Sequence, residues 1–408
     1  MTLKKHISLN VIFDPQNEFM RCSGFLGISM LEKDFSFYLN KSLSLTSTYI
    51  LVGGLEKPLE VAVVENTNEM LQVASKYEVK FPHPPDDQKI YFSYEGSITS
   101  DHYGTNYLKP EAIELGLYAP WYPFPGLGVE TSFDVTIVGP DTWVFLMNGE
   151  LLSPDSWRNE GNPSDLTLLG LPKRKHISEG QFYWGTLGGY EKFRRLERDL
   201  LKRKKILEDW LGPSTAEKLT FAFTHRDTGG TYVREGLVVT QENIEEEYLT
   251  EKRDFLLMSW THELAHLWFN KATTADYHNW VDEGLADFVA LLVSREFAGE
   301  EFVTTRLERL RTFLDKQHDL PSIVETTRGD PHAYAVYYVW GSLIYNEICQ
   351  RVGLDMFKRF LRDFALKERE VDHITTSDMI EVLEMSTGQE WQVYVEQMMK
   401  RKPSTNLG

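Results

Sequence analysis

The sequence predicts an α+β protein: a mainly β N-terminal domain over residues 1–187, a mostly helical domain over 188–401, and a frayed tail at 402–408. Three observations carry this expectation. Up to about residue 185, short β-branched or aromatic runs end at Gly, Asn or Asp. From about residue 190, apolar residues recur at helical spacing. Between the two patterns stands the glycine-rich "GTLGGY" at 185–190.

Taken in order, the expected strands are "HISLNVIF", "FSFYLN", "YILVGG", "VAVVEN", "KIYFSYEG", "FDVTIVG" and "WVFLMNG". The proline–aromatic cluster "YAPWYPFPG" (118–126) suits either a substrate cleft or rigid packing, and rigid packing is the simpler reading. "YEKFRRLERDLLKRKKILEDWL" places Phe193, Leu196, Leu200, Leu201 and Leu207 at roughly helical spacing. Its "KRKK" therefore reads as a solvated helix face rather than a nucleic-acid patch. One strand pair, "KLTFAFT" and "GLVVTQ", interrupts the helical half on either side of the glycines of "DTGGTY".

The bulk composition sets limits. At 408 residues the chain is long enough for two domains with their own cores. A formal charge of −18 disfavours nucleic acid and anionic membrane as partners, and no run suits a signal peptide or a bilayer span. Cys22 and Cys349 are the only cysteines and belong to no ligand-like cluster. A reduced compartment, the cytoplasm, is the expectation, and cysteine ligation of a metal is not expected.

The chemistry concentrates in "THELAHLWFN" (261–270). Residues four apart share a helix face, so His262 and His266 present two imidazoles to one point. That is a bidentate clamp for a metal, and Glu263 beside it is placed to act as general base on a metal-activated water. Catalytic zinc takes three protein ligands and keeps one position open. "NWVDEGLADF" supplies Glu283 as the third, with sixteen residues separating it from His266. Asp287, one turn further along the same face, is placed to accept the free ring N–H of a ligating histidine, although a plain helix-face acid remains an equal reading. The cofactor expected is one Zn2+ per chain.

"HELAHLWF" followed by "WVDEGLADF" resembles the aminopeptidase N family of zinc peptidases, gluzincins with a thermolysin-like catalytic domain. "GLVVTQ" resembles the family's cleft-edge strand, "YVWG" its Tyr-x-x-Gly, and "TTSDMIEVLEMSTGQEWQVYVEQMM" its closing helices. The resemblance implies a thermolysin-like domain over 188–401 and a β domain before it, without the large C-terminal helical domain of many members. It also implies that His262, His266 and Glu283 bind zinc, Glu263 activates water and Tyr338 stabilises the oxyanion. Tyr334 and Tyr337 compete on the same stretch, and only the Tyr-x-x-Gly match selects Tyr338.

The chain departs from the family at substrate recognition. Where aminopeptidases carry Gly-x-Met-Glu-Asn, this chain reads Gly230, Thr231, Tyr232, Val233, Arg234, so a valine replaces the glutamate that grips the substrate's α-amine. Valine cannot pair with an ammonium. Arg234 offers a guanidinium for a substrate carboxylate, against the commoner reading of an ion pair with a neighbouring acid. The segment from His266 to Glu283 is about two residues shorter than usual, and Asn270 replaces a customary glycine. Three readings follow: a zinc peptidase or amide hydrolase not anchored on a free amine; an aminopeptidase with another anchor, such as Glu235 or an acid of the β domain; and a non-catalytic zinc-binding scaffold.

Overall fold

The computed structural model describes residues 5–28, 34–81, 87–101, 104–126, 129, 131–160, 165–180, 182–214, 219–226, 230–234, 236–242, 250, 252–274 and 276–403. The chain forms two compact units, Met1–Glu191 with Leu219–Asn243 and Lys192–Lys218 with Ile244–Gly408.

Among the described residues the first unit holds four sheets. Strict alternation makes Lys5–Asp14 a strand that buries Ile7, Leu9, Val11 and Phe13 on one face. It pairs antiparallel with Phe19–Gly27 and parallel with Thr131–Val138 at the centre of an eight-stranded sheet. Each of the seven expected runs lies on a strand. Trp121 and Tyr122 of the proline–aromatic cluster are fully buried. The Trp121 indole donates to the Leu166 carbonyl at 2.9 Å, so these two rings pack the core rather than line a cleft.

The interrupting strand pair belongs to this first unit. Thr220–Thr224 and Leu237–Gln241 run parallel in a five-stranded sheet, with Tyr232–Arg234 antiparallel at its edge. One side of Tyr232–Arg234 thus lacks a strand partner among the described residues.

In the second unit the regular elements among the described residues are helical. They are α1 (Gly189–Leu211, entering it at Lys192), α2 (Arg253–Ala265), α3 (Trp280–Asp315), a π-helical turn (Tyr334–Trp340), α4 (Gly341–Val352), α5 (Leu354–Glu370), α6 (Thr376–Thr387) and α7 (Gln392–Lys400), with short 3-10 turns at Tyr277–Asn279 and Ile323–Glu325. Phe193, Leu196, Leu200 and Leu207 form the buried stripe of α1, as their spacing predicts. Arg203, inside "KRKK", departs from the expected solvated face. It is buried, donates to Ser294 Oγ at 3.1 Å and lies over the Phe297 ring, a fit that its long apolar stem and flat guanidinium permit. Burial lowers its pKa to about 10. A capping box between Thr375 and Asp378 starts α6, and Gly388 in the left-handed region ends it. Among the described residues no helix is long and apolar enough to cross a membrane.

Candidate metal centre

The site is built on α2 and α3. The α2 helix is buried on nearly all sides from its second turn on: every residue from Leu256 to Ala265 is buried except the half-buried Ser259, which suits a helix in a core. His262 lies in its last turn and His266 caps its end. The Asn270 side chain donates to the His266 carbonyl at 2.8 Å, satisfying an oxygen the helix end leaves open. Two buried carboxylates hold the following loop: Glu368 accepts from the Lys271 N–H at 3.0 Å and Asp282 from the Ala272 N–H at 2.7 Å. Burial raises the pKa of both acids.

The loop leads to α3, whose first turn carries Glu283. Its placement depends on a backbone contact. A Cβ on Gly284 would lie 2.9 Å from the Gly341 carbonyl carbon and 3.1 Å from the Tyr337 carbonyl oxygen. Only glycine lets α3 approach the π turn and α4 this closely. The glycine of the Tyr-x-x-Gly motif is therefore the other half of this crossing.

Three ligand atoms converge. His262 Nε2 and His266 Nε2 are 3.1 Å apart, and Glu283 Oε2 is 3.4 Å from each. Tetrahedral zinc with bonds of about 2.05 Å sets its ligand atoms about 3.3 Å apart, so the three atoms fit one face of such a coordination shell. The shorter connection between His266 and Glu283 does not prevent this. Among the described residues, this is the one group of His, Cys, Asp and Glu side chains arranged to hold a metal ion.

Surrounding groups orient the ligands. The His266 Nδ1–H donates to the Phe269 carbonyl at 2.8 Å, which aims its Nε2 lone pair at the triangle. Burial opposes protonation of this ring, but the hydrogen bond and charge of Glu283, with Glu263 and the Phe269 carbonyl, raise its pKa to about 9. Glu283 is held well below the usual carboxylate range: burial pushes it up, and Arg328 and the two histidines overcome that. Asp287 stands 3.8 Å from His262 Nδ1, within ion-pair range and beyond hydrogen-bond length. Glu263 is buried next to His262.

The three tyrosines of the π turn separate clearly. Tyr337 is buried and its hydroxyl donates to the Thr326 carbonyl, a core role. Tyr334 is exposed. Tyr338 is half-buried, and its ring stacks on His262 with centroids 5.5 Å apart. Sequence reasoning missed Arg328 and Asn279. The Arg328 guanidinium donates through Nη1 to Glu283 Oε1 and, at 2.6 Å, to Asn279 Oδ1; no local motif marks Arg328, and Asn279 opens the quoted "NWVDEGLADF" without a role there.

The segment from Gly230 to Arg234 lies in the first unit. Arg234 Nε donates to the buried Asp165 at 3.1 Å, so the internal ion pair accounts for this guanidinium. Tyr232 donates to Glu114 at 3.0 Å, Thr231 bonds Thr240 at 2.9 Å, and the Gly230 carbonyl accepts from Arg226. Val233 lies opposite Val238 in the strand ladder. Glu235 lies outside the described residues.

The model for the peptidase family M1 domain matches residues 228–401. No curated protein matches the chain. Among solved structures, the chain is similar to an M1 zinc metallopeptidase from Deinococcus radiodurans, at 16% identity and a TM-score of 0.64, over 98% of this chain and 93% of that one. A point mutant of an M1 zinc metallopeptidase from the same organism gives 16% identity and a TM-score of 0.68, over 99% and 96%. A mutant bound to a Tyr-Ser-Ala substrate, from that organism too, gives 16% and 0.65, over 98% and 95%. At such identity the structural likeness is one of fold. The match to the family's own domain makes residues 228–401 a peptidase family M1 domain, the stretch that carries His262, His266 and Glu283, and it supports a hydrolase acting on peptides.

Proposed function

We propose that this chain hydrolyses peptide or amide bonds with one zinc ion held by His262, His266 and Glu283, and that it does not anchor its substrate by a free α-amine. The observation that carries the first half is the triangle of Nε2, Nε2 and Oε2 atoms with tetrahedral spacing. Bound there, zinc would bring a water's pKa to about 7 and polarise the scissile carbonyl. Glu263 takes the proton from the attacking water and delivers it to the leaving nitrogen. The Tyr338 hydroxyl donates a hydrogen bond to the oxygen that gains negative charge. Asp287 supports the His262 ring electrostatically.

The second half rests on Val233. Its side chain offers no acceptor for an ammonium, and Glu114, the buried acid beneath that strand, is engaged by Arg226 and Tyr232. In this reading Gly230, Thr231, Tyr232, Val233 and Arg234 contact substrate through the strand edge that has no strand partner among the described residues, while Asp165 and Glu114 stiffen it. On the same reading 188–401 is the catalytic domain and 1–187 the β domain, a functional division distinct from the compact units, which group Leu219–Asn243 with the first. Two buried thiols and the acidic surface suit a cytoplasmic enzyme without nucleic-acid or membrane partners.

The test is a paired assay of zinc-loaded protein on one peptide set with free and with acetylated amino termini. Cleavage of the acetylated set supports the proposal. Cleavage of the free set alone makes the enzyme an aminopeptidase with another anchor, and no cleavage by a fully zinc-loaded protein leaves a binding scaffold. Glu263→Gln should keep its zinc and lose about 100-fold or more in rate, because the base goes and the ligands stay. Equal rates in variant and parent would sink the mechanism.

A further inference from the structure

Arg328 lies 45 residues after Glu283, in a loop whose backbone is fixed on both sides. Before it, a Ser322–Glu325 capping box and the Thr326 hydroxyl bond to the Ser322 carbonyl close one turn. After it, the Asp330 N–H bonds the Thr327 carbonyl, and Asp330 accepts from His332 and holds Ala333 at the start of the π turn. The loop therefore delivers the guanidinium to a defined place, with a quarter of the side chain still exposed.

There, one nitrogen serves two acceptors at the start of α3, one on the helix and one just before it. Asn279 and Glu283 are four residues apart, hence on one helix face, and Nη1 donates a hydrogen bond to each. Asn279 is buried immediately before the helix, so its amide oxygen is a fixed acceptor that holds the arginine. The consequence falls on the carboxylate. With Oε1 taken by Arg328, only Oε2 faces the two histidine nitrogens, and rotation of the carboxylate would break a charge-assisted bond.

We propose that Arg328, held by Asn279, is the positioning residue of the metal centre: it pins Glu283 so that a single oxygen is offered to the ion. The inference rests on the reading of His262, His266 and Glu283 as a zinc site. Two effects of Arg328 oppose each other. Its positive charge disfavours a nearby dication, whereas its hydrogen bond holds the ligand in place. Glu283 stands between the two cations and shields one from the other, so the loss of orientation dominates when the arginine is removed.

The experiment is zinc competition against a chromophoric chelator on the full chain, with the melting temperature of each metal-free variant read in parallel. Arg328→Met should weaken zinc binding about 10- to 100-fold, the usual cost of losing a group that orients a metal ligand. Arg328→Lys keeps the charge and N–H donors, on a shorter stem without the rigid planar fork, and should recover part of that loss. Asn279→Ala should weaken binding less than Arg328→Met, and the double variant no more than Arg328→Met alone, because Asn279 acts through the arginine. Additive losses, or unchanged or tighter zinc in Arg328→Met, would overturn the inference. His266→Ala separates this from failure of the underlying reading. If the parent binds one zinc and His266→Ala loses it, the zinc site stands whatever Arg328 does; if the parent binds none, both fall.

Discussion

At the scale of single residues, the proposed ligands and the proposed specificity residues fall in different units. The converging ring nitrogens and carboxylate oxygen of His262, His266 and Glu283 sit at tetrahedral spacing in the second unit, while Val233 and Arg234 lie on an edge strand of the first. The resemblance to the family gives Val233 a testable meaning. Val233→Glu should create or raise cleavage of aminoacyl anilides, and acetylation of the substrate should abolish the gain. No change would mean that the strand register differs from the family's or that other groups fill the subsite. Arg234 is a poor target for the same purpose, since removing it strands the buried Asp165 carboxylate.

At the scale of elements, the crossing of α3 with the π turn and α4 positions the centre. Gly284 and Gly341 meet backbone to backbone, with Glu283 immediately before one and Tyr338 three residues before the other. Gly284→Ala brings a methyl within about 3 Å of three backbone atoms of the neighbouring elements. Overpacking of this kind costs roughly 1–3 kcal/mol, more than alanine's gain of about 1 kcal/mol in helix propensity. The variant should melt several degrees lower and bind zinc more weakly, measured by thermal unfolding and chelator competition. Parent-like values for both would show that the helices can part without consequence. The loop after α2 is likewise set by tertiary contacts, as Asn270 closes the helix end and Asp282 and Glu368 hold its N–H groups.

At the scale of the whole molecule, buried charge in the first unit makes stability depend on pH. Burial raises Glu114 from 4.5 to about 7, and Arg226, Thr224 and Tyr232 offset only part of that. Between those two values the native state holds a proton that the unfolded chain has released, so this group's contribution to stability falls as pH rises from 4.5 to 7. The full effect is of order 3 kcal/mol. Glu114→Gln carries no such proton, so its stability relative to the parent should rise across that interval in denaturant titrations. A difference that stays constant with pH would refute the argument.

Much of this protein was legible in its sequence, because the signals were periodic or local. Alternation in the first half gave strands, the apolar repeat gave α1, and a four-residue spacing sets two imidazoles on one helix face whatever the surroundings. What tertiary structure decided involves residues far apart in the chain. The burial of Arg203, the capture of Arg234 by Asp165, the core role of Tyr337 and the stacking of Tyr338 on His262 all depend on partners that no short window contains. Arg328 is the extreme case. Its acceptors lie 45 and 49 residues earlier, and only the folding of loop, π turn and α3 against one another brings a guanidinium to the second oxygen of Glu283. Spacing fixes which side chains share a face; packing fixes what that face meets.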